Sequence, residues 1–286
     1  MSHLSLKAYA KINLCLDVTQ RRPDGYHELR SIMQTIDLHD RVTLHKSPQA
    51  GIELSVDTKN VPCDATNLTY MAAQAVFHAF MVPGGLRIEL TKNIPVAAGL
   101  GGGSADAAAV IRGLDTLYGL GMNPAKMREI GLKIGADVPF LIAGGTAQAS
   151  GIGEILAPLP RLPDCRILLV CPRLAVSTKW VFEHLSLDKI ETHPDTAGMA
   201  AAIHRGDLDA ICARTANVLE TVTITQHKII GEIKQGLLSL GAKAALMSGS
   251  GPTVFAIFGE KDAAQKAKAA LQGEYDTYLT TPIDST

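Results

Sequence analysis

The sequence is poor in aromatic residues and has almost no net charge. Aromatic side chains make up 5% of the 286 residues, and 27 basic residues oppose 28 acidic ones. A chain with a formal net charge of −1 has no broad basic surface, so we expect neither nucleic acid nor an acidic membrane as a partner. Any anionic ligand must therefore be held by a local site.

Long apolar runs and paired cysteines are also missing. No apolar stretch approaches the roughly 20 residues of a membrane-spanning helix. The apolar N-terminus carries lysines at positions 7 and 11 and no small-residue cleavage site, which argues against an export signal. Five cysteines stand without a C-x-x-C pair, as is typical of a reducing compartment, so we predict a cytoplasmic protein. The histidines form no zinc-binding pattern, and zinc is not expected.

Hydrophobic periodicity predicts an α+β fold in two halves. The segment "LSLKAYAKINLCLDV" alternates with period two, which predicts a strand with Lys11 and Asn13 on one face. A proline-rich crossing, "PLPRLPDC", separates two predicted domains, residues 1–155 and 156–286. Other predicted strands cover 32–37, 41–45, 52–56, 86–91, 166–172, 243–247 and 253–258, with a packed strand and turn at 144–156; predicted helices cover 67–80, 104–118, 124–134, 195–211, 227–240 and 261–272.

The segment "VAAGLGGGSADAAAV", residues 96–110, places a run of glycines and one serine before an alanine-rich helix. The first N–H groups of a helix lack partners and carry partial positive charge, so they bind phosphate, and glycine lets them approach it. Ser104 is predicted as the N-cap, with a hydroxyl that could reach a phosphate or its metal. No Walker lysine follows, and Ser104 replaces the third glycine of a dinucleotide motif. A glycine connection that only permits tight packing is the alternative.

The longer segment "IPVAAGLGGGSADAA" resembles the phosphate-binding motif of the GHMP kinases, the family of galactokinase, homoserine kinase and the mevalonate kinases. The strand "KAYAKINLCLDV" and the segment "MSGSGPTVFAIF" at 247–258 also resemble that family, so the resemblance covers nearly the whole chain. It implies a two-domain GHMP kinase fold with the active site in the cleft between the domains, ATP as phosphoryl donor, and Mg²⁺. Many GHMP kinases have two serines after the glycines. Here Ala105 follows Ser104, which leaves the magnesium ligands open.

The resemblance also implies which residues bind ATP. Asn67 and Lys92 are expected near the adenosine, although an exposed lysine at a strand end is the alternative for Lys92. Asp106 is expected to point away from the triphosphate or to act through water. The loop 248–251 is expected to approach the site from the second domain, although a plain tight turn explains the same letters. The residues implied at the triphosphate are Pro95, Val96, Ala97, Ala98, Gly99, Leu100, Gly101, Gly102, Gly103, Ser104 and Ala105.

Phosphoryl transfer to an alcohol needs a carboxylate that accepts the hydroxyl proton and donors that stabilise charge on the phosphate. Asp137, in "KIGADVPF", lies among apolar residues whose partial desolvation would favour proton uptake. The alternative is an N-cap for a helix with Pro139 in its first turn. The resemblance assigns Asp137 the catalytic position and places Lys11 beside it.

The segment "RRPDGYHEL" narrows the resemblance to a family member whose alcohol substrate carries a cytidine diphosphate. It implies Tyr26 and His27 at the cytosine, Thr178 and Phe182 on the opposite wall, and Asn13 near the polyol and diphosphate. Turn residues that pack on the strand are the alternative for the Tyr-His pair.

Two other functions stay open at this point: a sister kinase for homoserine, mevalonate or a sugar, and a silent nucleotide-binding sensor. A cytidine pocket argues against the first, and the retained lysine and aspartate candidates argue against the second. Both a monomer and a weak homodimer are compatible with the sequence.

Overall fold

The protein is described by a computed structural model over residues 2–284, and its first part is built on two long strands. Shorter strands and helices follow them. The elements are β1 (His3–Arg21), β2 (His27–Ser47), β3 (Gly51–Val56), α1 (Leu68–Phe80), β4 (Gly85–Thr91), α2 (Gly102–Tyr118), α3 (Pro124–Leu132), α4 (Val138–Ala143), β5 (Thr146–Gly151) and β6 (Ile155–Leu159).

The second part combines short strands with several helices. Its elements are β7 (Arg166–Cys171), α5 (Thr178–His184), a 3₁₀ turn (Leu187–Lys189), α6 (Thr196–Arg205), α7 (Leu208–Cys212), β8 (Ala216–Asn217), α8 (Glu220–Gln226), α9 (Lys228–Ser239), β9 (Ala244–Met247), β10 (Val254–Phe258), α10 (Lys261–Leu271) and β11 (Asp276–Thr280). Within residues 2–284, no helix is both long and apolar enough to cross a membrane.

Two sheets organise these elements. The larger sheet has the order β3-β4-β2-β1-β8, and β5 pairs with β2 and β6. The smaller sheet is antiparallel, with the order β11-β7-β10-β9. The two strands predicted at 32–37 and 41–45 are one continuous strand, because a register shift between Tyr9 and Lys11 of β1 absorbs the irregularity. The predicted α+β class is confirmed.

Both faces of the smaller sheet are buried. Ile167 and Leu169 of β7 pack into the core shared with the larger sheet, whereas Leu168 and Val170 pack against a second core formed with α9 and α10. A strand that is covered on both faces needs apolar side chains at every position. This explains the unbroken apolar run "ILLVC" at residues 167–171.

Several short elements differ from the predictions. The helix predicted at 195–211 is two helices, because Gly206 takes a left-handed conformation with φ 65° and ends α6. The six-residue helix α4 is the helix with Pro139 in its first turn that was weighed as the alternative for Asp137. The seven-residue helix α5 was not predicted, because such a short segment does not show a helical period. The predicted strand and turn at 144–156 is the hairpin of β5 and β6.

The division into residues 1–155 and 156–286 stays a proposal. β6 still pairs with β5 in the larger sheet, and β7 begins the smaller one. The crossing between the two sheets therefore runs through residues 160–165, the last six residues of the proline-rich segment.

Candidate active site

A cleft of about 1190 Å³ lies between the two halves of the chain. Its walls come from β1, the glycine-rich segment 95–104, the start of α4, helix α5 and the loop 249–251. The predicted site residues line this cleft, with two exceptions. Leu100 and Ala105 do not line it, because their side chains are buried in the core. Residues far apart in the sequence are thus brought to one cavity.

The glycine-rich segment folds into a tight loop against β1. Gly99 and Gly101 have φ angles of 76° and 73°, and Ala97 also has a positive φ, 54°. A Cβ atom at Gly101 would lie 3.1 Å from Cγ of Lys11, and the backbone N–H of Lys11 donates to the carbonyl of Leu100 at 2.9 Å. Glycine is favoured at position 101, because the left-handed backbone is strained for other residues and a Cβ would push on the Lys11 side chain.

The helix after this loop starts earlier than predicted. The N-cap of α2 is Gly101, which offers no side chain, and the helix begins at Gly102. The prediction that Ser104 is the N-cap is therefore wrong; Ser104 lies in the first turn. The early N–H groups of α2 keep no capping side chain and line the cleft. They form a positively polarised cradle that suits a phosphate.

Lys11 and Asp137 meet on the floor of the cleft. Nζ of Lys11 lies 3.4 Å from Oδ2 of Asp137, with the lysine side chain 6% exposed and the aspartate side chain 36% exposed. Asp137 occupies the N-cap position of α4, but its side chain makes no capping hydrogen bond. The carboxylate is instead directed at the lysine. Lys11 also donates to Oδ1 of Asn13 at 2.8 Å, which confirms that the two side chains share one face of β1.

An aromatic pair joins the two halves of the chain at one end of the cleft. The rings of His27, at the start of β2, and Phe182, in α5, have centroids 5.2 Å apart. Burial, followed by the charge of Arg21, lowers the pKa of His27, so the ring is neutral at pH 7. The hydroxyls of Thr178 and Ser250 are hydrogen-bonded at 2.7 Å. This end of the cleft thus offers a flat aromatic surface with hydroxyl groups beside it.

Tyr26 lies in the turn that precedes β2. Its ring is 58% exposed, although the residue lines the cleft. The turn is held by Asp24, whose carboxylate accepts the N–H of Tyr26 at 3.0 Å and pairs with Arg22. A large aromatic ring is therefore presented to solvent by a fixed backbone.

Lys92 is buried between two carboxylates, so the alternative of an exposed lysine is wrong. Its Nζ donates to Asp40 and, at 2.7 Å, to Oδ2 of Asp106. Although burial opposes it, the two carboxylates raise the pKa of Lys92. Burial also raises the pKa of Asp106 well above the usual carboxyl range, since one lysine serves two buried acids. Oδ1 of Asp106 has no hydrogen-bond partner among the described residues.

The loop between β9 and β10 packs directly on the glycine loop. The Ser248 hydroxyl donates to the carbonyl of Gly99 at 2.9 Å, and a Cβ at Gly99 would lie 2.3 Å from the Ser248 carbonyl. The side-chain amide of Asn217 donates to the carbonyls of Met247 and Gly249, and these two hydrogen bonds hold the loop in place. Gly99 is therefore required for packing, whereas the glycines that follow it border the cradle.

Sequence reasoning missed two parts of the site. Asp40 anchors Lys92 and also accepts the N–H of Ile94 at 2.8 Å, yet it lies 52 residues from Lys92 in the chain. Asn217 was missed as well, because α8 and the short strand before it gave no pattern. No local signal pointed to either residue.

Two family models match the chain. The model described as "GHMP kinases N terminal domain" matches residues 67–145, and the one described as "GHMP kinases C terminal" matches residues 199–277. Together they cover the glycine loop, the Asp137 segment and the loop that packs on it.

Curated relatives match over the full length. The chain is similar to a protein of Acetivibrio thermocellus named 4-diphosphocytidyl-2-C-methyl-D-erythritol kinase, with 46% identity over 284 residues, 99% of this chain and 100% of that protein. A protein of the same name from Lachnoclostridium phytofermentans is 47% identical over 289 residues, 100% of this chain and 99% of that protein.

Solved structures agree with these relatives. A crystal structure of a 4-(cytidine 5'-diphospho)-2C-methyl-D-erythritol kinase superposes with a TM-score of 0.84 at 33% identity, and covers 98% of this chain and 99% of its own. A homoserine kinase from Cytophaga hutchinsonii has a TM-score of 0.81 at 20% identity, covering 100% of this chain and 96% of its own, which shows a shared fold alone.

Proposed function

This chain belongs to the GHMP kinase family, and we propose that it phosphorylates the 2-hydroxyl of 4-diphosphocytidyl-2-C-methyl-D-erythritol, giving the 2-phosphate and ADP. The reaction would serve the non-mevalonate synthesis of isoprenoid precursors. ATP as the phosphoryl donor follows from the family. The observation that carries the proposal is the Lys11–Asp137 pair, 3.4 Å apart, on the floor of a cleft between an amide cradle and an aromatic wall.

The cradle at the start of α2 is the proposed site of the ATP phosphates. Its glycines leave no Cβ atoms between the backbone N–H groups and the cleft, and α2 has no acidic residue in its first turn. Phosphate oxygens therefore meet polarised donors in the first turn of α2, and the Asp106 carboxylate that follows is paired with Lys92. Asn67, which caps α1, and Lys92 line the same side of the cleft and are proposed near the adenosine.

Asp137 is the proposed general base. It accepts the proton of the acceptor hydroxyl as the oxygen attacks the terminal phosphorus; the new O–P bond forms and the bond from phosphorus to the ADP oxygen breaks. The ammonium group of Lys11 contacts this carboxylate and Asn13, which leaves one N–H donor for an oxygen of the transferred group. Because Asp137 makes no capping hydrogen bond, its carboxylate is available for this role.

The aromatic end of the cleft is the proposed cytidine site. Tyr26 and the His27–Phe182 pair supply ring faces on which a flat base stacks, and Thr178 supplies a hydroxyl. Asn13 lines the cleft beside Lys11 and is proposed near the polyol and its diphosphate. Homoserine, mevalonate and simple sugars have no base to fill such a wall, which argues against a sister kinase.

We further propose that Mg²⁺ enters with ATP. Among the described residues no group of three or more His, Cys, Asp or Glu is arranged to hold a metal. A magnesium ion that is bound to ATP phosphates needs only one or two protein ligands. Two groups that line the cleft fit that need: Oδ1 of Asp106, which has no hydrogen-bond partner among residues 2–284, and the Ser104 hydroxyl in the first turn of α2. When bound there, the ion supplies charge neutralisation on the phosphate oxygens.

An acceptor panel tests the proposal. The full-length protein is incubated with ATP, Mg²⁺ and one alcohol at a time: the cytidylylated methylerythritol, the same polyol phosphate without cytidine, homoserine, mevalonate or galactose. ADP release with the first acceptor alone, and a 2-phosphate in the ³¹P spectrum of the product, is the expected result. Turnover of homoserine or mevalonate at a similar rate contradicts it.

We also propose that the protein is located in the cytoplasm and that it is a monomer or a weak homodimer.

A further inference from the structure

A chain of three buried hydrogen bonds starts at Nζ of Lys11 and links Lys11, Asn13 and Ser31, which all line the cleft, to a backbone carbonyl of β1. Lys11 donates to Oδ1 of Asn13 at 2.8 Å, Nδ2 of Asn13 donates to Oγ of Ser31 at 2.9 Å, and the Ser31 hydroxyl donates to the carbonyl of Cys15 at 2.7 Å. Lys11, Asn13 and Ser31 are 4%, 3% and 2% exposed. Water therefore does not compete for these contacts.

The direction of this chain is fixed by Ser31. Its hydroxyl carries one hydrogen, which is used on the Cys15 carbonyl, so toward Asn13 it acts only as an acceptor. Asn13 must therefore turn its NH₂ group to Ser31. Its oxygen is then left facing Lys11, which is a donor only. With the amide reversed, an NH₂ group would face an ammonium group.

We infer that Ser31 is a positioning residue for Lys11 and acts through Asn13. This inference rests on the proposed function, because it concerns the lysine of the proposed Lys11–Asp137 pair. The lysine is held between two acceptors, Asn13 and Asp137, and its backbone is tied to the glycine loop through Leu100. A rotated Asn13 amide would remove one of these acceptors and move the ammonium group relative to the carboxylate.

The strand geometry explains how one serine reaches both partners. The register of β1 and β2 shifts between Asn13 and Cys15, so that Cys15 pairs with Ile32 and Leu16 pairs with Ser31. Such a bulge redirects side chains locally. The Ser31 hydroxyl consequently reaches a side chain on one side of the irregularity and a carbonyl on the other.

The test uses Ser31→Ala, with Ser31→Thr as the variant that restores the hydroxyl. Thr35→Val is the matched control: Thr35 lies in the same strand, opposite Lys11, and its fully buried hydroxyl has no hydrogen-bond partner among the described residues. Ser31 fixes the Asn13 amide, and the oxygen of that amide accepts a strong hydrogen bond from the charged Lys11. Ser31→Ala should therefore lower kcat about 10- to 100-fold, with small changes in the KM of either substrate. Ser31→Thr and Thr35→Val should stay close to wild type.

A double-mutant cycle separates positioning from a general loss of structure. If Ser31 acts only through Asn13, Ser31→Ala should lower kcat in the wild type but have little further effect in an Asn13→Ala background. Equal losses in both backgrounds would overturn the inference. Thermal unfolding is measured for every variant, and Ser31→Cys, which keeps the volume but bonds weakly, replaces Ser31→Ala if the latter does not fold.

A readout without substrate keeps this inference distinct from the proposed function. In the ¹⁵N NMR spectrum of the full-length protein, the Asn13 side-chain amide protons should shift and exchange faster in Ser31→Ala, but not in Thr35→Val. If Ser31→Ala leaves the Asn13 amide signals unchanged, the inference that Ser31 positions Lys11 through Asn13 is refuted, whatever alcohol the enzyme phosphorylates. Failure of the acceptor panel with wild-type protein, with the NMR result intact, refutes the proposed function alone.

Discussion

Replacement of Asp137 by asparagine should abolish most of the activity while the fold survives. The exchange keeps the side-chain volume and removes the proton-accepting charge. It costs no capping bond, since the Asp137 side chain makes none, and the Asp137 carbonyl still accepts the N–H of Leu141 at 3.1 Å. Only the contact with Lys11 is altered directly.

The expected losses of stability and of turnover rate in Asp137→Asn follow from the structure. Two unit charges 3.4 Å apart in an effective dielectric of about 20 attract by about 5 kcal/mol. Because the Asp137 side chain is 36% exposed, solvent screening reduces the net contribution to stability to about 1 kcal/mol. Loss of a general base lowers a rate about 10²- to 10⁴-fold, or about 3 to 5 kcal/mol in the barrier. The turnover rate should therefore fall far more than the stability.

The assay compares three proteins: wild type, Asp137→Asn and, as a control, Glu183→Gln, which changes another carboxylate that lines the cleft. ADP release at saturating substrates gives kcat, calorimetric titration gives ATP affinity, and thermal unfolding gives stability. We expect only Asp137→Asn to lose kcat, with ATP affinity retained. An Asp137→Asn enzyme within a few-fold of wild-type turnover would show that another group takes the proton.

Three further predictions concern other parts of the structure. Tyr26→Ala should weaken binding of the cytidylylated acceptor about 10-fold and leave ATP binding unchanged, because a stacked aromatic contact contributes about 1 kcal/mol or more; equal losses in titrations with the two ligands would contradict the cytidine site. Asp106→Asn should raise the Mg²⁺ concentration for half-maximal rate about 10-fold, with no change in acceptor KM; an unchanged magnesium titration would exclude Asp106 as a ligand. Cys63 alone should react rapidly with a thiol reagent at pH 8, because the other four cysteines are buried and burial raises their pKa to about 11 or 12; more than one fast equivalent before unfolding would contradict the packing.

The sequence predicted those parts of the site that depend on local pattern. Period-two alternation placed Lys11 and Asn13 on one face of a strand, and a 2.8 Å hydrogen bond now joins them. The glycine run before an apolar helix predicted a loop with a helix start, although the start is Gly101 rather than Ser104. Both features depend on backbone geometry within a few residues, which is why a single sequence reveals them.

The tertiary structure decided the contacts between distant segments. Three contacts join residues that are 14 to 155 positions apart. They are the burial of Lys92 between Asp40 and Asp106, the pairing of His27 with Phe182, and the hydrogen bond from Asn13 to Ser31. No periodicity encodes such contacts, because they depend on how sheets and helices pack after the local elements have formed. The sequence by itself therefore determined the glycine cradle and the strand face that carries the lysine. Packing within the first half decided where the Asp137 carboxylate meets the lysine, and packing between the two halves decided where the aromatic wall lies. Long-range contacts are fixed by the shape of the core and not by spacing along the chain.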